Sequence, residues 1–233
     1  LSLSIQIEDT TRSRTAASFE VDGAASNNVI PLAELTVRRI DSNAVGSRAK
    51  DQEAWKCYVA ALAHAPAEAA PLLEKALSID PDFTPAIFTL VRLRAALGDR
   101  AAAGKVIDDA LSRRSHLGEI HVAKLEFVAA SLRGDPLTRF RAVARLAGLI
   151  PADSDLAREA AEAATSVNDL AAAEQWYARA AAIEPSNGIL WNQLGYARSY
   201  LKDLKGAVEA IERYRQLAPA SANPEDTLGD VHF

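Results

Sequence analysis

The feature that most constrains this chain is an internal period of about 34 residues. Pro81, Pro151, Pro185 and Pro219 are separated by 70, 34 and 34 residues. Three further columns keep the same spacing: Ala69, Ala103, Ala173 and Ala207; Leu73, Ile107, Tyr177 and Ile211; and Ala76, Ala110 and Ala180. The 70-residue gap is one period of 34 and one of 36, because Asp99, Asp135, Asp169 and Asp203 are spaced 36, 34 and 34. Two extra residues therefore fall between Ser115 and Asp135. Self-similarity at this spacing means a small supersecondary unit that buries its apolar side only by stacking on copies of itself.

Each period reads as helix, short turn, helix. Leu97-Gly98-Asp99, Arg133-Gly134-Asp135, Val167-Asn168-Asp169 and Lys202-Asp203 sit mid-period. There Gly or Asn can take a left-handed position after one helix, and Asp can accept the free N–H groups that open the next. The prolines follow the second helix of each pair, in Ile-Asp-Pro, Ile-Glu-Pro and Leu-Ala-Pro at 79–81, 183–185 and 217–219, where a residue without an N–H ends helical propagation. First helices are expected near 50–64, 84–97, 118–132, 154–167, 188–201 and from 222 onward; second helices near 67–78, 100–113, 136–149, 170–183 and 204–217. Of the 233 residues 48 are alanine and only 6% are aromatic, which suits closely packed helices and argues against an all-β fold.

On these residues the chain resembles the tetratricopeptide repeat (TPR) family. The period, Trp191-x-x-Leu194-Gly195, the later Ala207 and the closing Pro219 match its pattern in one repeat, and Leu228-Gly229 begins another. The match covers residues 48–233 and is loosest at 118–150, where Arg139 and Leu146 replace the two alanines, so packing is expected to differ there. The fold class that follows is mostly α: a right-handed superhelix of five helix pairs and one unpaired terminal helix. The resemblance implies that first helices line a concave groove that takes peptides or partner proteins. Groove residues carried over are Asn192, Gln193, Tyr196 and Tyr200 in the best-matching repeat, and Arg158, Glu159 and Glu162 in the one before. Further back they are Phe88 and Arg92, with Trp55 and Tyr58 in the first. Amides can bond an extended backbone in both directions, and tyrosines add rigid apolar area; packing of Tyr196 and Tyr200 against a neighbouring repeat is the alternative. The basic set with which family members clamp a chaperone's carboxylate tail is not reproduced.

Residues 1–47 do not carry the repeat. Leu3, Ile5 and Ile7 alternate with polar residues, as do Ala17, Phe19 and Val21, which predicts a β-hairpin. Residues 28–41 carry Ile30, Ala33, Leu35, Val37 and Ile40 on one helical side, before a linker containing Gly46. Hairpin, helix and then repeats resemble the end of the small α/β domain that precedes such arrays in bacterial regulators, of the membrane-anchored Ser/Thr kinase or winged-helix activator type. The chain, which has no methionine, reads as a piece of a longer protein.

A search for catalytic chemistry returns nothing that outweighs a structural role. Gly104-Lys105 lacks the remainder of a phosphate loop and falls within a second helix. His116 and His121 straddle a helix start, so they do not form an i, i+4 metal pair. Asp153-Ser154-Asp155 lies where carboxylates complement a helix N-terminus. Cys57 is the only cysteine; it excludes an internal disulfide or a Cys-based zinc site and reads as a small packed residue. No cofactor or metal is expected. No apolar run approaches the roughly 18–20 residues of a membrane span, so direct membrane insertion is not expected.

Charge is uneven along the chain. Residues 84–150 carry 11 Lys+Arg against 6 Asp+Glu, while 1–83 carry 8 against 12 and 151–233 carry 7 against 13, for a net charge of −5. An acidic chain without a dominant basic field argues against nucleic acid binding. The expected function is a non-enzymatic interaction scaffold within a larger bacterial regulator. The alternative is a ligand-sensing module with a small-molecule pocket between residues 1–47 and the first repeats. Self-association is expected at the N-terminal edge strand or at the open C-terminal end, with Leu228 and Val231 near the contact. The chain reads as soluble, either cytoplasmic or the extracytoplasmic part of a membrane-anchored parent.

Overall fold

The computed structural model describes residues 51–219 in full and, as backbone, strands β1 (Ser2–Asp9) and β2 (Arg14–Asp22). The strands pair antiparallel with Leu3 opposite Val21 and Ile5 opposite Phe19, and the register shifts between Ile7 and Glu8. The helix expected at 28–41, the linker after it and the helix expected from 222 lie outside the described residues. The chain divides into two compact units, residues 1–118 and 119–233.

The first unit holds α1 (Gln52–Leu62), α2 (Pro66–Ile79), α3 (Thr84–Ala96) and α4 (Arg100–Ser112). The second holds α5 (Glu119–Arg133), α6 (Pro136–Leu149), α7 (Ser154–Ser166), α8 (Leu170–Ile183), α9 (Gly188–Tyr200) and α10 (Leu204–Leu217). Helices pair as α1 with α2, α3 with α4, α5 with α6, α7 with α8 and α9 with α10, and within each unit every second helix packs on the next pair. The boundaries expected from the period hold to within two residues at most ends. First helices stop one residue early because Leu97, Val167 and Leu201 are their C-caps.

One residue both closes and opens helices in the mid-period turns. The N–H of Asp99 donates to Arg94 O and that of Gly98 to Ala95 O, the 6→1 and 5→2 bonds of a Schellman ending. Asp169 with Asn168, and Asp203 with Lys202, repeat both bonds. The same aspartates then cap the next helix: Oδ1 of Asp99, Asp135, Asp169 and Asp203 accepts from the N–H three residues on, at 3.0–3.1 Å. Positive φ falls at Gly98 (80°), Gly134 (69°), Asn168 (59°) and Lys202 (64°).

The alanine columns are buried where the helices of a pair and the next pair meet: Ala103, Ala173 and Ala207 are at most 1% exposed, and Ala76, Ala110 and Ala180 at most 2%. Between them lie Leu73, Ile107, Tyr177 and Ile211, with Val143 filling the same position in the third repeat. Gly195 of α9 belongs to this close packing, since a Cβ there would stand 2.3 Å from Ile211 Cδ1. The long period differs from the others in two places. Helices of successive pairs are joined by four residues at 80–83, 150–153 and 184–187 but by six at 113–118, where Arg114–His116 form a 3-10 turn, and α5 is 15 residues long against 13 in α3, α7 and α9, so the extra length is shared between that connection and α5.

Candidate peptide-binding face

The first-helix residues assigned to the groove fall into three different environments. In the first unit Trp55 and Tyr58 are half-buried and gather on Phe83, whose ring is fully buried. Ring centroids are 5.7 Å apart for Trp55 and Phe83 and 5.2 Å for Tyr58 and Phe83, the latter edge-on. Phe83 occupies the N-cap position of α3 without supplying a side-chain cap, so it anchors the turn by burial. Phe88 is half-buried and Arg92 exposed, one helical turn further along α3.

On α7 the charges satisfy one another. Arg158 Nη1 donates to Glu162 at 2.5 Å and Nη2 to Asp155 at 3.4 Å, both within the helix. The bond to Glu162 raises the Arg158 guanidinium above its ordinary pKa, against a smaller desolvation effect. Glu159 is held by Arg139 of α6, and both side chains are 28% exposed. Arg139 is the residue that breaks the alanine column; its guanidinium lies 5.5 Å from the centre of the Phe127 ring. The altered packing expected at 118–150 is thus an arginine threaded between an aromatic ring and a carboxylate. Behind α7, burial pushes the Tyr177 hydroxyl above its ordinary pKa, and the Glu162 carboxylate adds to the shift.

On α9 the face is uncharged. Asn192, Tyr196 and Tyr200 recur every four residues, so they follow one side of the helix. Asn192, Gln193 and Tyr196 are half-buried, and Tyr200 is 61% exposed. The helix is fixed from its other side: Trp191 Nε1 donates to Pro185 O at 3.0 Å and packs against Leu190 and Leu194, both 1% exposed. Arg198 ties α9 to Glu174 of α8 at 3.0 Å. Motif residues therefore position the helix, and Asn192, Gln193, Tyr196 and Tyr200 lie between them on its partly exposed side.

Several ties were not read from sequence. Arg94, which occupies the same column as Arg198, pairs with Glu74 of α2. Arg113 Nη2 donates to Pro81 O at 2.8 Å while its Nε reaches Asp82 at 3.3 Å, and His116 meets the other Asp82 oxygen at 3.4 Å. Arg179 reaches Pro151 O at 3.4 Å and lies 5.1 Å above the Trp176 ring. The shared column of Arg94 and Arg198 was the available signal. Elsewhere, Cys57 is buried in the core, Asp153 caps α7 through Leu156 N–H at 2.9 Å, and Gly104 and Lys105 lie within α4. His64 pairs with Glu68 at 3.0 Å. Among the described residues no three His, Cys, Asp or Glu side chains are grouped to hold a metal ion, and no helix is long and apolar enough to cross a membrane.

A family model described as tetratricopeptide repeat matches residues 60–125. No curated protein sequence matches the chain. Among solved structures the chain is similar to MamA, residues 41 to the end, from Desulfovibrio magneticus RS-1, at 16% identity and a TM-score of 0.59, covering 74% of this chain and 98% of that one. It is also similar to YrrB, described as a TPR protein with an unusual peptide-binding site, at 14% identity and a TM-score of 0.60, covering 86% and 100%. At such identities the likeness concerns the fold. Ten described helices in five pairs, the 34-residue period and the likeness to these two structures show a tetratricopeptide-repeat fold, and the family model matches a tetratricopeptide repeat at residues 60–125.

Proposed function

We propose that the chain is a non-enzymatic scaffold that holds an extended peptide of a protein partner along its first helices, with Asn192, Gln193, Tyr196 and Tyr200 of α9 as the principal contacts. The observation that carries this reading is the uncharged side of α9 on which Asn192, Tyr196 and Tyr200 recur every four residues, partly exposed along its length and 61% exposed at Tyr200. Amides can meet a peptide N–H and C=O together, and two tyrosines lose few rotamers on binding. YrrB, with a similar fold, is described as having a peptide-binding site, which supports the class of ligand. In the first unit, taken by itself, Trp55 and Tyr58 present only the edges left exposed by their packing on Phe83, and Phe88 and Arg92 lie further along α3. Placement within a larger bacterial regulator, with residues 1–47 belonging to a preceding domain, is part of the same proposal.

The test is a peptide library displayed against the chain, followed by calorimetry on the selected sequence. Tyr196→Ala and Tyr200→Ala are each expected to weaken binding by more than about 1 kcal/mol, as central aromatic anchors do. Unchanged affinity in both variants would move the site away from α9.

A further inference from the structure

Between α2 and α4, with α3 as its floor, lies a cleft of about 380 Å³ lined by Leu77, Pro81, Ile87, Leu90 and Val106, with Glu74, Ser78, Asp109 and Arg113 at its polar parts. None of these belongs to the face proposed above, so the inference goes beyond that reading. The volume is in the range of ligand pockets.

The repeat register shows what such a space accommodates. Two repeats later, 70 residues on, Val106 corresponds to Trp176, and Leu77, Ile87 and Leu90 correspond to Ala147, Ala157 and Ala160. Trp176 packs on the clusters containing those three alanines. In that repeat the chain fills the station between its second helices with its own indole; here Leu77, Ile87 and Leu90 take up part of that space, and Val106 in place of an indole leaves the cleft open. The guanidinium is in place in both. Arg179 lies over the Trp176 ring and donates to Pro151 O, and Arg113, four positions further on in the register as the C-cap residue of α4, donates to Pro81 O, the corresponding carbonyl. The first unit thus has the apolar wall and the cation of a cation–π site without a ring of its own.

We propose that this cleft receives a tryptophan side chain of a protein partner, a second contact point on the second-helix side of the array. The ring would lie on Leu77, Ile87 and Leu90 under the Arg113 guanidinium. Glu74 and Asp109 carboxylates at the rim would accept N–H groups of the partner's backbone, a contact that a free aromatic compound does not offer and an anionic one would oppose.

The site is tested with the whole chain, 13C-labelled at its methyl groups, titrated with the peptide Gly-Gly-Trp-Gly-Gly, with the same peptide carrying Leu in place of Trp, and with indole. Expected are saturable methyl shifts at Leu77, Ile87, Leu90 and Val106, of ring-current origin with the Trp peptide, and at least threefold tighter binding of the Trp peptide than of either control. Val106→Trp, which supplies the ring as Trp176 does, is expected to abolish the shifts. Val106→Phe is the milder substitution should the indole disturb folding, and is expected to weaken binding at least fivefold. Absence of saturable shifts, equal binding of the leucine peptide, or binding unaltered in either folded variant would overturn the proposal. Indole binding as tightly as the peptide would overturn its assignment to a protein partner.

Discussion

Lys202 holds a left-handed backbone, φ 64°, at the turn where Gly98 and Gly134 serve elsewhere. A side chain at such a φ is strained by roughly 1–2 kcal/mol. Lys202→Gly is therefore expected to raise stability by about 0.5–1 kcal/mol in denaturant titrations, the relief being offset by the greater freedom of the unfolded glycine. Asp135 is a pH-sensitive version of the same turn. Its carboxylate accepts from the Thr138 hydroxyl at 2.6 Å and from the Thr138 N–H at 3.1 Å, and the hydroxyl first, then the N–H, holds its pKa below the ordinary value. A depressed folded pKa gives stability that is present above the unfolded pKa and lost as pH falls through the folded one. Melting temperatures of the parent chain and Asp135→Asn are thus expected to differ at pH 7 and to converge as the pH drops below the ordinary carboxylate range. These turns were legible in sequence because all their partners lie within five residues. Gly195 was legible as a motif position only; that Ile211 occupies the space of its Cβ depends on how closely α9 and α10 approach.

Pairs of helices were legible because proline and Asp positions set their ends, and because a repeated column of small residues implies contact at a fixed register. Ties between successive pairs were not, since they depend on which turn of the neighbouring helix an arginine reaches. Arg94 spans 20 residues to Glu74 and Arg198 spans 24 to Glu174, although both occupy one column. The candidate site shares this limit. Alternation along α9 marks Asn192, Tyr196 and Tyr200 as one side, but the commitment of Glu159 to Arg139 follows only from the spacing of α6 and α7. The tie can be weighed with a double-mutant cycle of Arg139→Ala and Glu159→Ala. Because both groups are less than a third exposed, a coupling of about 1 kcal/mol is expected, at the upper end for partly solvated pairs and shrinking with added salt. A coupling of zero would mean that the Phe127 ring alone keeps Arg139 in place.

At the scale of the whole chain, consecutive helices supply nearly all of the packing: within each unit a helix meets its pair partner and the adjacent pair. Stability of such a chain is a sum of repeat terms and nearest-neighbour terms, so damage is expected to stay near its source. Ile107 in the first unit and Val143 in the second occupy one column and are both fully buried, which makes them matched probes. Ile107→Ala is expected to cost about 2–5 kcal/mol, and Val143→Ala less because fewer methyl groups are lost. Amide hydrogen exchange should then show that Ile107→Ala strips protection from α1 to α4 and leaves α7 to α10 close to the parent, while Val143→Ala does the reverse, with loss centred on α5 to α8. Uniform loss of protection in either variant would mean that the ten described helices unfold as one cooperative body, and that the contacts setting global stability run further than from one pair to the next.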